Sequence, residues 1–234
     1  MEQGRRTNTI VLCGGMGKRM QEETHGRISK AELPISQPLV SGSSEARESV
    51  VGMLVRALAR LRLVQTILLL TSNKWVAAHT ELAALLARRY EIDVRCKTDH
   101  STGDEFPPEA LATLTEELGR NVDLGLATIL LNADMLFSPQ DLHHFMTSIR
   151  DSQPLIAEGV SDASPNLGIY FFSSDLAWRH LTREIAAKNV FELMGGLYQR
   201  VPIRSVKIDG PIYDCGSVAG YRQACKDGRE GRLW

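Results

Sequence analysis

Residues Asn8 to Met20 read NTIVLC followed at once by GGMGKRM. The apolar, β-branched run to Cys13 predicts a short buried strand, and Gly14, Gly15 and Gly17 predict a turn directly after it. Closely spaced glycines let a backbone approach phosphate oxygens and adopt positive φ. Lys18 and Arg19 add two cations where a triphosphate would lie. Two common nucleotide motifs are excluded. A Walker A loop needs Ser or Thr after Gly-Lys, and Arg19 stands there; the dinucleotide fingerprint needs a third glycine where Met20 stands. A tight turn with surface charges explains the loop equally well when it is taken alone.

Outward from this stretch, strands and helices alternate. Residues 21–44 lack apolar periodicity and are rich in Ser, Gly and Pro, which predicts mostly loop. Val51, Leu54, Val55, Leu58 and Leu61 repeat at helical spacing within 48–62. QTILLLT is a continuous apolar run of strand length. Residues 74–89 read as helix, 92–97 as a short strand, and 107–118 as helix with a proline in its first turn. Leu126 to Asn132 predicts another strand, after which Ser138-Pro139 caps a helix. Strands are expected at 167–172 and 203–208, and Ser217 caps a last helix through Lys226. This order predicts an α/β fold with a mainly parallel sheet covered by helices on both faces. No linker divides the 234 residues, so one domain over 1–234 is expected.

Composition narrows the function classes. The formal net charge is −1, so no basic excess points to nucleic acid. No apolar run is long enough to span a bilayer, and MEQGRRTNTI carries no apolar stretch leading to a cleavage site, so neither a membrane partner nor a signal peptide is expected. Cys13, Cys96, Cys215 and Cys225 form no C-x-x-C pair, which predicts reduced thiols and a cytoplasmic protein. His143-His144, Trp75, Trp178, Trp234 and Arg88-Arg89 are expected to serve packing or solvation.

Two carboxylates stand out. Asp134, in LLNADMLF, lies just past a buried strand, where open α/β sheets bind ligands. It could ligate Mg²⁺, which takes one or two carboxylates plus phosphate oxygens. Asp214, in PIYDCGSVAGYRQA, again follows an apolar strand and precedes a small-residue turn. Both strands are expected to end on one edge of the sheet, so the two carboxylates would share one ion. For each alone, a turn or helix-cap aspartate is the plain alternative.

Taken in order, these segments resemble the sugar-1-phosphate nucleotidyltransferase (sugar-nucleotide pyrophosphorylase) family. TIVLCGGMGKRM looks like its opening strand and Gly-Gly-x-Gly-Thr-Arg loop. SKAELPI is similar to its Pro-Lys-x-Leu-x-Pro and places the family's lysine at Lys30. LLNADMLF resembles its Gly-Asp metal segment, NLGIYFFSSD its Asn-Ala-Gly-Ile-Tyr-x-Phe strand, and IYDCGSVAGYRQA its Trp-x-Asp-Ile-Gly-Thr-Pro-Glu-x-Tyr segment. The departures are Lys18 for threonine, Ser29 for the proline before Lys30, and Asn132-Ala133 before Asp134. STGDEF matches the base-selecting Gly-Thr-Ala segment poorly. AEGVSDASP matches the sugar-phosphate Glu-Lys-Pro only at Glu158, with Gly159 in place of the lysine.

The resemblance implies a Rossmann-like nucleotidyltransferase domain. A phosphate oxygen of an acceptor would attack the α-phosphorus of a nucleoside triphosphate, and pyrophosphate would leave. It implies Arg19 and Lys30 as catalytic cations, and Cys13, Gly14, Gly15, Gly17, Lys18 and Gly103 around the nucleotide. Glu158, Asn166, Gly168 and Lys188 would meet the acceptor, and Asp134 and Asp214 would hold Mg²⁺. The partners implied are a nucleoside triphosphate and a small phosphorylated metabolite; a homo-oligomer is compatible with it. The segment after the Asp134 helix is short and Gly159 lacks a cation, so a small or unusual acceptor is expected, with hexose 1-phosphates used poorly. Two alternatives stay open. One is a relative without catalysis that senses ligands or regulates. The other is a nucleotidyltransferase for a non-sugar phosphate, which the Arg19-Met20 pair echoes.

Overall fold

The computed structural model describes residues 7–14, 20, 27–35, 48–101, 108–162, 167–178, 182, 185, 187 and 190–233. In chain order the strands are β1 (Thr7–Leu12), β2 (Pro34–Ile35), β3 (Glu48–Ser49), β4 (Val64–Thr71), β5 (Asp93–Thr98), β6 (Ala127–Asn132), β7 (Met135–Leu136), β8 (Ile156–Val160), β9 (Ile169–Phe172), β10 (Ile203–Lys207) and β11 (Tyr213–Asp214). The α-helices are α1 (Val50–Leu61), α2 (Val76–Tyr90), α3 (Pro108–Asp123), α4 (Pro139–Ser152), α5 (Val190–Tyr198) and α6 (Val218–Arg229). A 3₁₀ turn at Lys30–Glu32 precedes β2.

Seven strands form one sheet in the order β10-β8-β9-β6-β1-β4-β5. β1 runs parallel to β4 and β6, β4 to β5, and β8 to β10; β9 alone runs antiparallel to its neighbours β6 and β8. The β-branched and leucine-rich strands β1, β4 and β6 are central because they are apolar on both faces. Val11, Ile67, Leu69, Ile129 and Leu131 pack on one face against Leu54 and Leu58 of α1 and Phe145 and Ile149 of α4. Ile10, Leu70, Leu130 and Phe172 pack on the other against Leu114 and Leu118 of α3 and Leu193 and Leu197 of α5. Trp178 closes that second core: its ring meets Phe172 edge-on at 5.3 Å, and its indole N–H donates to the Thr115 carbonyl at 2.8 Å.

A third apolar cluster lies apart from the two faces. Met20, Leu33, Ile35, Val50, Met53, Leu136, Tyr213, Cys215, Tyr221 and Ala224 form it. It binds Leu33, which closes the 3₁₀ turn, to β2, β7, β11 and α6 as one unit, and α1 joins that unit to the sheet, with Val50 and Met53 on one side and Leu54, Val55 and Leu58 on the other. This cluster positions the candidate site.

The cap readings hold. Ser138 Oγ accepts from the Asp141 N–H at 3.0 Å, with Pro139 in the first turn, and Ser217 Oγ accepts from the Gly220 N–H at 3.2 Å. Ser138→Ala should therefore lower stability by about 1 kcal/mol, the usual worth of an N-cap. A shift of the thermal midpoint by roughly 2–4 °C checks this, and an unchanged midpoint would contradict it. The structure also adds elements. β8 and α5 lie in stretches not read as strand or helix, and β7 and β11 make a two-residue antiparallel pair. No helix among the described residues is long and apolar enough to cross a membrane. The four cysteines are free.

Candidate active site

Asp134 stands two residues past β6, at the edge where β1 and β4 also end. The Ala133 N–H donates to the Leu12 carbonyl at 3.1 Å, which locks the backbone before Asp134 against the end of β1. Asp214 reaches the same place by another route. The nearest preceding strand of the large sheet, β10, ends at Lys207 on the far side, four strands from β1. β10 nevertheless runs in the same direction as β6, so the strand before Asp214 ends on the same edge as the strand before Asp134, as expected, and Asp214 itself comes seven residues later. It lies in β11, whose pairing with β7 sets Asp214 opposite Met135 and Tyr213 opposite Leu136. The Cys215 N–H then donates to the Asp134 carbonyl at 2.7 Å.

Gly216 makes the approach close. Its N–H donates to Asp214 Oδ1 at 2.9 Å. A Cβ placed there would lie 3.0 Å from Asp214 Oδ1 and inside contact distance of Asp134 Oδ2, so any side chain would wedge between the two carboxylates. Lys30 completes the group. Its ammonium donates to Asp134 Oδ2, and both side chains are largely shielded from water.

Local structure explains how Lys30 arrives. Ser29 caps the 3₁₀ turn in a capping box, with Ser29 Oγ accepting from the Glu32 N–H and Glu32 Oε2 accepting from the Ser29 N–H, both at 3.3 Å. Ala31, Leu33 and Ile35 are buried. The Tyr221 hydroxyl donates to the Pro34 carbonyl at 2.9 Å, and the Val50 N–H to the Leu33 carbonyl at 3.0 Å. The turn is therefore tied to both α6 and α1. The Glu32 carboxyl is held below the usual carboxylate range, first by the His79 ring, whose Nε2 lies 3.6 Å from Oε2.

The nucleotide-side residues divide. Gly14 sits beside Asp99, at the end of β5: a Cβ at 14 would lie 2.9 Å from Asp99 Oδ2. Asp99 is itself buried and accepts from the Ser101 N–H at 2.8 Å. Cys13 has no exposure, and its side chain belongs to the sheet core. Burial pushes its thiol well above the normal range, so only its backbone is available to a ligand. Gly15, Gly17, Lys18, Arg19 and Gly103 lie outside the described residues.

On the acceptor side, Gly168 has φ +65° and stacks on Asn132, whose side chain would collide with any Cβ. The Asn132 N–H donates to its carbonyl at 2.9 Å. Gly168 therefore adjoins the strand end that carries Asp134. Glu158 is buried in β8, opposite Tyr170 of β9. The Tyr198 hydroxyl donates to its Oε2, and Ser205 Oγ to its Oε1 at 3.1 Å. Asn166 and Lys188 lie outside the described residues.

Gly159 departs from the reading placed on it. A Cβ there would run into Ile169, with Ile208 at 3.0 Å, and both belong to the core beneath α1 and α4. The position faces packed side chains, so glycine here is a packing requirement, and its lack of a cation says nothing about the acceptor. Sequence reasoning passed over Gly216, Asp99 and His79. The Asp-Cys-Gly spacing was a usable signal for Gly216; no local pattern marks the other two.

No protein-family model and no curated protein sequence matches the chain. Its fold is that of the sugar-phosphate nucleotidyltransferases, as solved structures show. A Bacillus anthracis protein assigned as a glucose-1-phosphate thymidylyltransferase, solved with sucrose, superposes with a TM-score of 0.72 at 14% identity, covering 96% of each chain. UDP-glucose pyrophosphorylase of Acinetobacter baumannii gives 0.67 at 15%, covering 96% of this chain and 94% of that one. The inositol-1-phosphate CTP transferase of T. maritima gives 0.63 at 14%, covering 98% of both.

Proposed function

We propose that this chain transfers a nucleoside monophosphate from a nucleoside triphosphate to a small phosphorylated acceptor and releases pyrophosphate. The observation that carries the reading is the convergence of Lys30, Asp134 and Asp214 at one sheet edge, beside the start of the glycine loop. Three structural neighbours named for nucleotidyl transfer to sugar or inositol phosphates support it at the level of fold.

Among the described residues no group of three or more His, Cys, Asp or Glu is arranged to hold a metal. Two carboxylates nonetheless suit Mg²⁺, which favours oxygen ligands and takes the remainder from water and phosphate. Asp134 and Asp214 would hold it; when bound it neutralises charge on the triphosphate. The acceptor's phosphate oxygen attacks the α-phosphorus as the bond to pyrophosphate breaks. A phosphate is already nucleophilic, so no side chain need act as a base. The protein's work is alignment and charge stabilisation. Lys30 neutralises charge growing at the α-phosphate, and Arg19 with the loop amides of Gly14, Gly15, Gly17 and Lys18 holds the leaving pyrophosphate.

Gly103 is assigned to the nucleotide, and Glu158, Asn166, Gly168 and Lys188 to the acceptor. Glu158 already serves Tyr198 and Ser205, which favours its shaping the acceptor wall over gripping a hydroxyl alone. We place the activity in the cytoplasm, where triphosphates and free thiols coexist. Calorimetry with each common triphosphate and Mg²⁺ tests the reading. Binding of at least one triphosphate is expected; no heat at millimolar ligand for any of them would refute it.

A further inference from the structure

The chain holds the Lys30 turn in place with a buried hydroxyl–imidazole–hydroxyl bridge. His79, in α2, has no solvent exposure. Its Nε2 lies 2.7 Å from Ser29 Oγ, and its Nδ1 lies 2.8 Å from Thr71 Oγ1 at the end of β4. Ser29 and Thr71 are buried as well. Each hydroxyl can donate or accept, so the bridge closes whichever ring nitrogen carries the proton. It spans from the end of β4, an interior strand, to the residue immediately before Lys30.

Ser29 has φ −73° and ψ 155°, and a proline ring would fix that φ unaided. Serine does not hold it alone. Here the constraint comes from three contacts: Ser29 Oγ to His79, Ser29 Oγ to the Glu32 N–H, and the Ser29 N–H to Glu32 Oε2. The last uses an N–H that proline lacks. A buried polar network that is fully satisfied rigidifies what it touches. What it touches here is the turn from which Lys30 reaches Asp134.

We infer that His79 is a positioning residue for Lys30, acting through Ser29 to fix the turn against the end of β4. The inference rests on the nucleotidyltransferase reading of Lys30. It touches none of the reacting groups, so its loss should lower kcat while leaving KM for the triphosphate nearly unchanged.

Two variants separate positioning from mere packing. His79→Gln keeps an amide where Nε2 meets Ser29 and gives up Thr71. His79→Asn keeps an amide where Nδ1 meets Thr71 and gives up Ser29. Each retains one buried bond and loses one, so comparable destabilisation is expected. Their kinetics should differ: His79→Asn should lose between about 10- and 100-fold in kcat, as displaced catalytic groups do, and His79→Gln less than about 3-fold. Equal kcat in the two variants would overturn the inference.

A second readout does not need turnover. The ¹⁵N-edited signal of the Lys30 ammonium, hydrogen-bonded to Asp134, should persist in wild type and His79→Gln and broaden or vanish in His79→Asn. Wild-type protein with no turnover but this pattern would defeat the nucleotidyltransferase reading and leave the positioning role standing. An identical Lys30 signal in both variants would overturn the positioning role whatever the activity.

Discussion

Asp134→Asn is expected to remove Mg²⁺-dependent transfer, lowering kcat by on the order of 10³-fold while the protein still folds. The two halves of this expectation have separate grounds. Asparagine keeps the size and a carbonyl oxygen for Lys30 but loses the charge that a hard cation and a triphosphate site require. The backbone at 134 is held by main-chain bonds that the substitution leaves alone, Leu12 to Ala133 and Asp134 to Cys215. The stability change should therefore stay at about 1.5–3 kcal/mol, the scale of one hydrogen bond to a charged group. Steady-state kinetics with far-ultraviolet circular dichroism on the same sample checks both. Wild-type turnover in a folded variant would show that Asp134 is only a turn residue.

Gly159→Lys should have the largest effect on stability. Read by resemblance, the position wants a lysine and the variant would improve acceptor binding. Read from the structure, the side chain would enter a core already filled by Ile169 and Ile208. An unpaired ammonium there costs several kcal/mol, and the overpacking adds about 1–3 kcal/mol. Together these consume most of a typical stability of roughly 5–15 kcal/mol. The variant should fail to accumulate as folded protein, and Gly159→Ala should lower the thermal midpoint by roughly 2–12 °C. A folded Gly159→Lys protein with an unchanged midpoint and tighter acceptor binding would contradict the packing assignment.

The sheet was legible because its strands are locally distinctive. NTIVLC, QTILLLT and ATILLN are largely apolar runs, and each is an interior strand of the sheet. The Ser138-Pro139 and Ser217 caps were legible for the same reason, since a cap needs only residues a few positions apart. β8 was not. IAEGV carries a glutamate and a glycine, and its strand character comes from β9 and β10 on either side. α5 hid behind Gly195 and Gly196, whose low helix propensity is overridden by burial of Leu193, Met194 and Leu197.

The site divides along the same line. Lys30, Asp134 and Asp214 were picked out as residues, yet what unites them is long-range. A two-residue pairing of β7 with β11, a glycine at 216 and a third apolar cluster bring them together. The Gly159 misreading has the same origin: an alignment by resemblance gives an order of residues, not the face of the sheet on which each side chain falls.

Pyrophosphate release, measured with Mg²⁺ across the common nucleoside triphosphates and a panel of phosphomonoesters, tests the central claim most directly. Glucose, mannose and N-acetylglucosamine 1-phosphates belong in that panel beside small phosphorylated alcohols. Acceptor-dependent release with at least one pair is expected, lost in both Asp134→Asn and Lys30→Ala. No release from any pair by folded wild-type protein, or release undiminished in both variants, would contradict it.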